Sequence, residues 1–150
     1  MDGADKRKRK RGRRARACRA KDLLAGKQPV PSLISVKKGE NLISAIRLMR
    51  VYGISQLPVT SGGKVVGTIS EDLAMERLYQ GADAGREKAG DIMADPLPQL
   101  DEDQDIAKAY EMFASGVLGI LVTRGEMPIG LITRSDLIVF WAFGRAALDF

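Results

Sequence analysis

The feature that most limits what this chain can fold into is an internal repeat. Sliding the sequence by 63 positions overlays residues 39–75 on residues 102–138 without a gap. Eight pairs are identical: Ile43/Ile106, Met49/Met112, Gly53/Gly116, Val59/Val122, Thr60/Thr123, Gly62/Gly125, Gly67/Gly130 and Ile69/Ile132. The paired glycines matter most, because glycine marks a demand of the backbone rather than bulk hydrophobicity. Lys21-Asp22-Leu23-Leu24 and Gly90-Asp91-Ile92-Met93 form a further echo that opens each copy at a slightly different offset. Two copies are too few for a solenoid and imply two subdomains packed about a pseudo-twofold axis.

Each copy predicts the same elements. Leu42, Ala45, Ile46 and Met49 in one, and Ile106, Ala109, Tyr110 and Phe113 in the other, follow the i, i+3, i+4, i+7 spacing of an amphipathic helix. Glu40-Asn41 and the acids at 101–103 suit a helix start, and Gly53 and Gly116 suit its end. Strand pairs follow at 56–60 with 64–70 and at 118–123 with 128–133, joined through glycine-containing turns at Gly62-Gly63 and Gly125. Closing helices are expected over about 71–80 and 135–147. The fold class is therefore α/β (α+β), with β-α-β-β-α written twice.

Composition narrows the chemistry. The chain has no histidine and one cysteine, so the commonest general base and the usual zinc sites are missing. Neither a P-loop nor a Gly-x-Gly-x-x-Gly sequence is present, and no apolar run approaches a membrane span. A secretory signal is not expected, since no hydrophobic stretch follows the basic start, and a cytoplasmic location is the default. Charge is unevenly spread. Residues 1–21 carry net +9 and the rest net −4, so a mildly acidic body of residues 21–87 and 88–150 follows a basic tail, residues 1–20, expected to be disordered.

The tandem words Gly53-Ile54-Ser55-Gln56-Leu57-Pro58-Val59, Gly67-Thr68-Ile69-Ser70, residues 88–93, and Gly130-Leu131-Ile132-Thr133-Arg134-Ser135-Asp136-Leu137 resemble the CBS domain family over about residues 20–145. The wording is most similar to archaeal CBS-pair regulators and to the C-terminal regulatory module of cystathionine β-synthase. The resemblance implies a regulatory sensor, not an enzyme, with no cofactor but an adenosyl effector: AMP, ADP, ATP or S-adenosylmethionine. It also implies two clefts between facing repeats.

By that resemblance one cleft uses Leu131, Thr133, Arg134, Ser135 and Asp136, completed by Ser32, Leu33, Ile54, Ser55 and Gln56. A carboxylate accepts two hydrogen bonds from ribose hydroxyls, and helix-start amides with Arg134 suit a phosphate. The same residues also make an ordinary helix cap, in which an acid in the first turn is stabilising by itself. The other cleft would hold Ser70, Pro96, Leu97, Gly119 and Ile120. It is expected to be weak, because Leu73 stands where Asp136 stands in the second copy and Asp72 lies one residue early.

Three features lie outside the clefts. The tail is either a nucleic-acid arm, salt-sensitive and blind to sequence, or a solubilising extension. Cys18, between Arg16 and Arg19, is either an activated thiol or an unused exposed one. The last helix, rich in Ile138, Val139, Phe140, Trp141 and Phe143, is expected to be buried on more than one side. CBS pairs commonly dimerise through helices, so the resemblance implies a homodimer there. A second functional reading is a structural or interaction module with degenerate clefts and a nucleic-acid-binding tail.

Overall fold

Alternation of apolar residues, with glycine between them, builds the sheets. In the computed structural model, which describes residues 18–25 and 33–144, strands β2 (Gln56–Ser61) and β3 (Lys64–Ser70) form an antiparallel hairpin. Gly62 and Gly63 turn it with φ of 58° and 80°, a region that L side chains resist. The short strand β1 (Val36–Lys37) lies parallel to β2, giving the order β1-β2-β3. Every second residue, Leu57, Val59 and Ile69, turns into the core, where each is fully buried.

Helix α1 (Ala20–Ala25) precedes this sheet; α2 (Leu42–Tyr52), α3 (Glu71–Tyr79) and α4 (Ala89–Ile92) accompany it. The second copy repeats the plan with β4 (Gln99–Asp101), α5 (Ile106–Ala114), β5 (Gly119–Arg124), β6 (Met127–Thr133) and α6 (Arg134–Phe143). Its sheet has the order β4-β5-β6, and a bulge interrupts the ladder at the matching place in both sheets, Val59/Thr60 and Val122/Thr123. The expected β-α-β-β-α order is present in both copies.

Compact units and sequence copies are different divisions of the chain. The central unit is Leu33–Pro98, and the terminal unit joins the residues up to Ser32 with those from Gln99 onward. Ala20, Leu23 and Leu24 of α1 therefore enter the core of the second copy, with Leu100, Ile106, Ala109, Phe113, Ile120, Val122, Ile132, Leu137 and Phe140. Ala89 and Ile92 of α4 enter the core of the first, with Val36, Leu42, Ala45, Met49 and Ala74. Backbone bonds hold both opening helices: Ala20 N–H donates to Gln104 O at 2.8 Å, and Ala89 N–H to Glu40 O at 2.8 Å.

The structure corrects several expectations. The gapless register of 63 fails in the first long helix, where core positions pair at 64: Leu42 with Ile106, Ala45 with Ala109, Met49 with Phe113. Helix α2 runs 11 residues before Gly53 caps it at φ 63°, whereas α5 runs 9 and stops at Ser115, just before Gly116. One residue is thus lost at the helix end, and packing, not identity, sets the alignment. Ile43, paired with Ile106 by identity, is 36% exposed.

The start of α5 is capped by Asp105, whose carboxylate accepts from Ala107 N–H at 2.8 Å. Asp101 instead accepts from Asp103 N–H within the preceding turn. The last helix ends at Phe143, and residue 147 lies outside the described residues. That helix is buried along a single stripe, Leu137 and Phe140, while Ile138, Trp141 and Phe143 are exposed. Cys18 is half-buried against the terminal core rather than exposed. Arg19 bridges Asp105 and Ala20 starts α1, so part of the expected tail belongs to the terminal unit; residues 1–17 lie outside the described residues.

Candidate functional site

In the terminal unit, β6 runs out at Thr133 and α6 starts at the next residue. Thr133 is extended (φ −123°, ψ 171°), as a cap residue must be, and Asp136 sits three residues on. The two side chains form a capping box. Asp136 Oδ2 accepts from Thr133 N–H at 2.8 Å and from the Thr133 hydroxyl at 3.2 Å. A half-buried carboxylate is thereby fixed at the positive end of a ten-residue helix, where a negative charge is stabilised.

The neighbours of this turn divide by exposure. Arg134 and Ser135 are exposed, and the Arg134 guanidinium donates to Phe113 O at 2.9 Å, which caps the end of α5. One of its N–H groups is thus committed to the fold. Leu131 is buried on the sheet face opposite the core residues Ile120 and Ile132. Gly119 pairs directly with Thr133 across the ladder. Ile120 is fully buried in the terminal core, so only its backbone is available to a ligand.

In the central unit the corresponding turn is Ser70-Glu71-Asp72-Leu73, with no carboxylate at its last position. Ser70 caps α3, its hydroxyl accepting from Leu73 N–H at 3.1 Å. Leu73 occupies the place of Asp136 and packs, half-buried, on the central core. Asp72 is exposed. The ladder sets Gln56 opposite Ser70, and Ser55 O accepts from Glu71 N–H at 3.0 Å, so residues 55 and 56 lie beside the Ser70 turn. The structure therefore brings Ser55 and Gln56 together with Ser70, although the sequence assigned them to different clefts. Ile54 and Leu33 are half-buried, Leu97 is half-buried and Pro96 exposed, while Ser32 lies outside the described residues.

Sequence reasoning missed Thr68. It is 4% exposed, and its hydroxyl has no hydrogen-bond partner among the described residues. The signal was present, since Thr68 lies two residues before Ser70 and shares its face of the strand. Sequence reasoning also missed the clamp on the loop before α5. There Arg124 Nε and Nη2 meet the two Glu102 oxygens at 2.8 and 3.1 Å. The hydrogen bond from Arg124 holds the Glu102 carboxyl below its ordinary value, against the opposing effects of desolvation and Asp103. Among the described residues no group of three or more Cys, Asp or Glu side chains is arranged to hold a metal ion, and no helix is long and apolar enough to cross a membrane.

Comparison with known proteins follows this geometry. The family model described as CBS domain matches residues 20–79 and 89–142. The chain is similar to an inosine-5'-monophosphate dehydrogenase of Korarchaeum cryptofilum (strain OPF8), 32% identical over 112 residues; the match covers 72% of this chain and 22% of that protein. The chain thus spans about a fifth of the length of that curated relative. Among solved structures it is similar to a protein with CBS domains from Burkholderia ambifaria MC40-6, with TM-score 0.69, 24% identity, and 80% of this chain and 90% of that one covered. It is also similar to the CBS domain pair of protein MJ0100, solved in complex with 5'-methylthioadenosine and S-adenosyl-L-methionine. There the TM-score is 0.67 at 21% identity, covering 82% of this chain and 98% of that one. At these identities the two structures establish the fold.

Proposed function

Because the chain belongs to the CBS domain family and carries two such domains in tandem, we propose that it is a regulatory module, not a catalyst, and that it binds an adenosine-containing ligand: AMP, ADP, ATP or S-adenosylmethionine. The observation that carries this reading is the Thr133–Asp136 turn, which fixes a carboxylate at the start of α6. A carboxylate there suits the vicinal hydroxyls of a ribose, and the first-turn amides suit an adjacent phosphate or carboxylate. The complex of the MJ0100 pair with two adenosyl compounds supports the ligand class. Leu131, Arg134 and Ser135 are the other residues of the terminal unit assigned to this ligand. The Ser70 turn, with Pro96 and Leu97 of the same unit, is the weaker site, because Leu73 offers no carboxylate.

Mass spectrometry of compounds released from the purified protein, followed by calorimetry with AMP, ATP and S-adenosylmethionine, tests the proposal. One dominant site per chain is expected. Two equal sites, or no binding to any adenosyl compound, would overturn it. The latter result would favour the second reading, an interaction module whose Thr133 and Asp136 serve only as a helix cap.

Two partners belong to the same proposal. The Tyr110 and Trp141 rings meet at a tilt in the terminal unit with centroids 5.6 Å apart; both are 53% exposed, and Ile138, on the same helix as Trp141, is exposed too. A second copy of the chain is the occupant assigned to this face, and sedimentation of the wild type and of Trp141→Ala tests it. The basic tail is assigned to nucleic acid by its charge.

A further inference from the structure

Helix α5 ends without a cation of its own. Its last turn carries no basic residue, whereas α2, its counterpart in the central unit, has Arg50 in its last turn and a left-handed Gly53 as cap. The last carbonyls of a helix carry partial negative charge, and a basic side chain beside them is stabilising. Another element supplies it: the Arg134 guanidinium, from the start of α6, donates to Phe113 O at 2.9 Å. The same carbonyl accepts from Gly116 N–H at 3.1 Å. Arg134 therefore fastens the turn by which α5 gives way to β5.

For α6 itself the residue is badly placed. Arg134 is its first residue, at the positive end, where acids are favoured and cations are not. The matching residue of α3 is Glu71, and Asp72 follows it, the charges that a helix start prefers. The needs of α6 thus give no reason for arginine. The guanidinium stands between two attractions, the negative end of α5 and whatever anion the Thr133–Asp136 turn receives. It keeps its charge at any ordinary pH, and it bonds an anionic oxygen more strongly than a neutral carbonyl.

We propose that Arg134 is a two-position switch: it holds Phe113 O until an anionic group of the ligand occupies the turn, then moves to that group and releases the end of α5. The proposal rests on the adenosyl reading above and adds how the site reports its occupant. AMP, ATP and S-adenosylmethionine each bring a phosphate or a carboxylate and draw the guanidinium away. Adenosine has the same base and ribose without an anion, and leaves it on Phe113. The released turn belongs to the helix that carries Tyr110, whose ring meets Trp141 of α6 with centroids 5.6 Å apart. The response therefore reaches the face assigned to a second copy.

The test is amide hydrogen exchange of the full-length chain, alone and saturated with AMP, ATP, S-adenosylmethionine or adenosine, on the wild type and on Arg134→Gln. Ligand binding by itself stabilises a fold and slows exchange, so a local acceleration is diagnostic. Each anion-bearing compound that binds should speed exchange at residues 115–117 by about three- to tenfold, the worth of one hydrogen bond. Adenosine should not. Arg134→Gln should show the faster exchange without ligand and no further acceleration with it. Emission of Trp141, the single tryptophan of the chain, should shift with the same compounds in the wild type only. An arginine that merely braces α5 would also loosen that end in Arg134→Gln, but wild-type exchange at 115–117 would not rise with any ligand. That result refutes the switch and leaves the adenosyl reading standing, as does unchanged exchange in ligand-free Arg134→Gln. If the wild type binds none of the four compounds, both fall together.

Discussion

Asparagine at position 136 separates the two roles that a carboxylate fills there. In the folded chain Asp136 Oδ2 accepts from Thr133 N–H at 2.8 Å and from its hydroxyl at 3.2 Å. Asp136→Ala removes the acceptor and should cost about 1 kcal/mol of stability, the usual worth of a cap. Asp136→Asn keeps an acceptor oxygen and loses only the interaction of a charge with the helix start, about 0.3–1 kcal/mol. Ligand affinity should behave otherwise. A carboxylate takes up to about four hydrogen bonds, so capping and ribose binding do not exclude each other. Losing a charge-assisted pair to the ribose should cost roughly 2–4 kcal/mol, about thirty- to several-hundred-fold in affinity, in both variants. Urea unfolding and calorimetry with the co-purified ligand are the paired assays. Ser70→Ala is the control, because it removes the equivalent cap in the central unit, where no carboxylate follows. If Asp136→Asn binds ligand within about threefold of the wild type, the turn is a cap and nothing more.

Other perturbations follow from the same contacts. Leu23→Ala should lower stability by about 2–5 kcal/mol in urea unfolding, since Leu23 is 1% exposed in the terminal core; a loss under 1 kcal/mol would mean that α1 is dispensable there. Gly67→Ala should destabilise by about 1–3 kcal/mol, because a new methyl would lie 2.6 Å from Met93 Cγ and 2.8 Å from Ala94 O; an unchanged urea midpoint would contradict that crowding. The Arg124 hydrogen bond depresses the Glu102 pKa in the folded chain, so its contribution is present above the unfolded value near 4.5 and fades as pH falls through the lower folded value. The wild type should therefore lose more stability than Arg124→Ala between pH 6 and 3 (about the range set by carboxylate titration), and equal losses would count against the clamp. Deletion of residues 1–15, which spares the Cys18 and Ala20 backbone bonds to residues 104–106, should abolish duplex-DNA binding whose log–log salt slope is several units, at about −0.9 per neutralised phosphate. Retained binding would place the activity in the body.

The strands and the repeat were legible because their signals are local. Alternation marks Leu57, Val59 and Ile69 as one face whatever they meet, and the turn glycines mark positive φ. What a face meets is not local. Leu23 and Ile92 were visible as an echo, but nothing in their periodicity says that α1 joins Phe113 and Phe140 while α4 joins Leu42 and Met49. The helical spacing marked Leu42, Ala45 and Met49, and Ile106, Ala109 and Phe113, as core positions, but the identity overlay paired Ile43 with Ile106, where the core pairs Leu42 with Ile106. On α6 the apolar residues were counted correctly, yet a count does not reveal that Ile138 and Trp141 stay outside.

The two helix-start turns show how one position can serve either packing or chemistry. The third residue of a helix sits where a side chain either reaches back to the cap or leans onto the core below it. In the central unit Leu73 takes the second course, packing on the core while the Ser70 hydroxyl caps the helix alone. In the terminal unit Leu137, one residue later, is 4% exposed and supplies the apolar contact. Asp136 is thereby relieved of packing and can present a carboxylate. Converting Leu73 to Asp would add a charge and remove apolar contacts at once, so the absence of a carboxylate there is built into how α3 meets its core. The Leu73→Asp variant should accordingly lose stability, by the loss of a half-buried leucine, before it gains any ligand. A variant as stable as wild type that bound a second adenosyl ligand with the affinity of the first would show that packing places no constraint on this position.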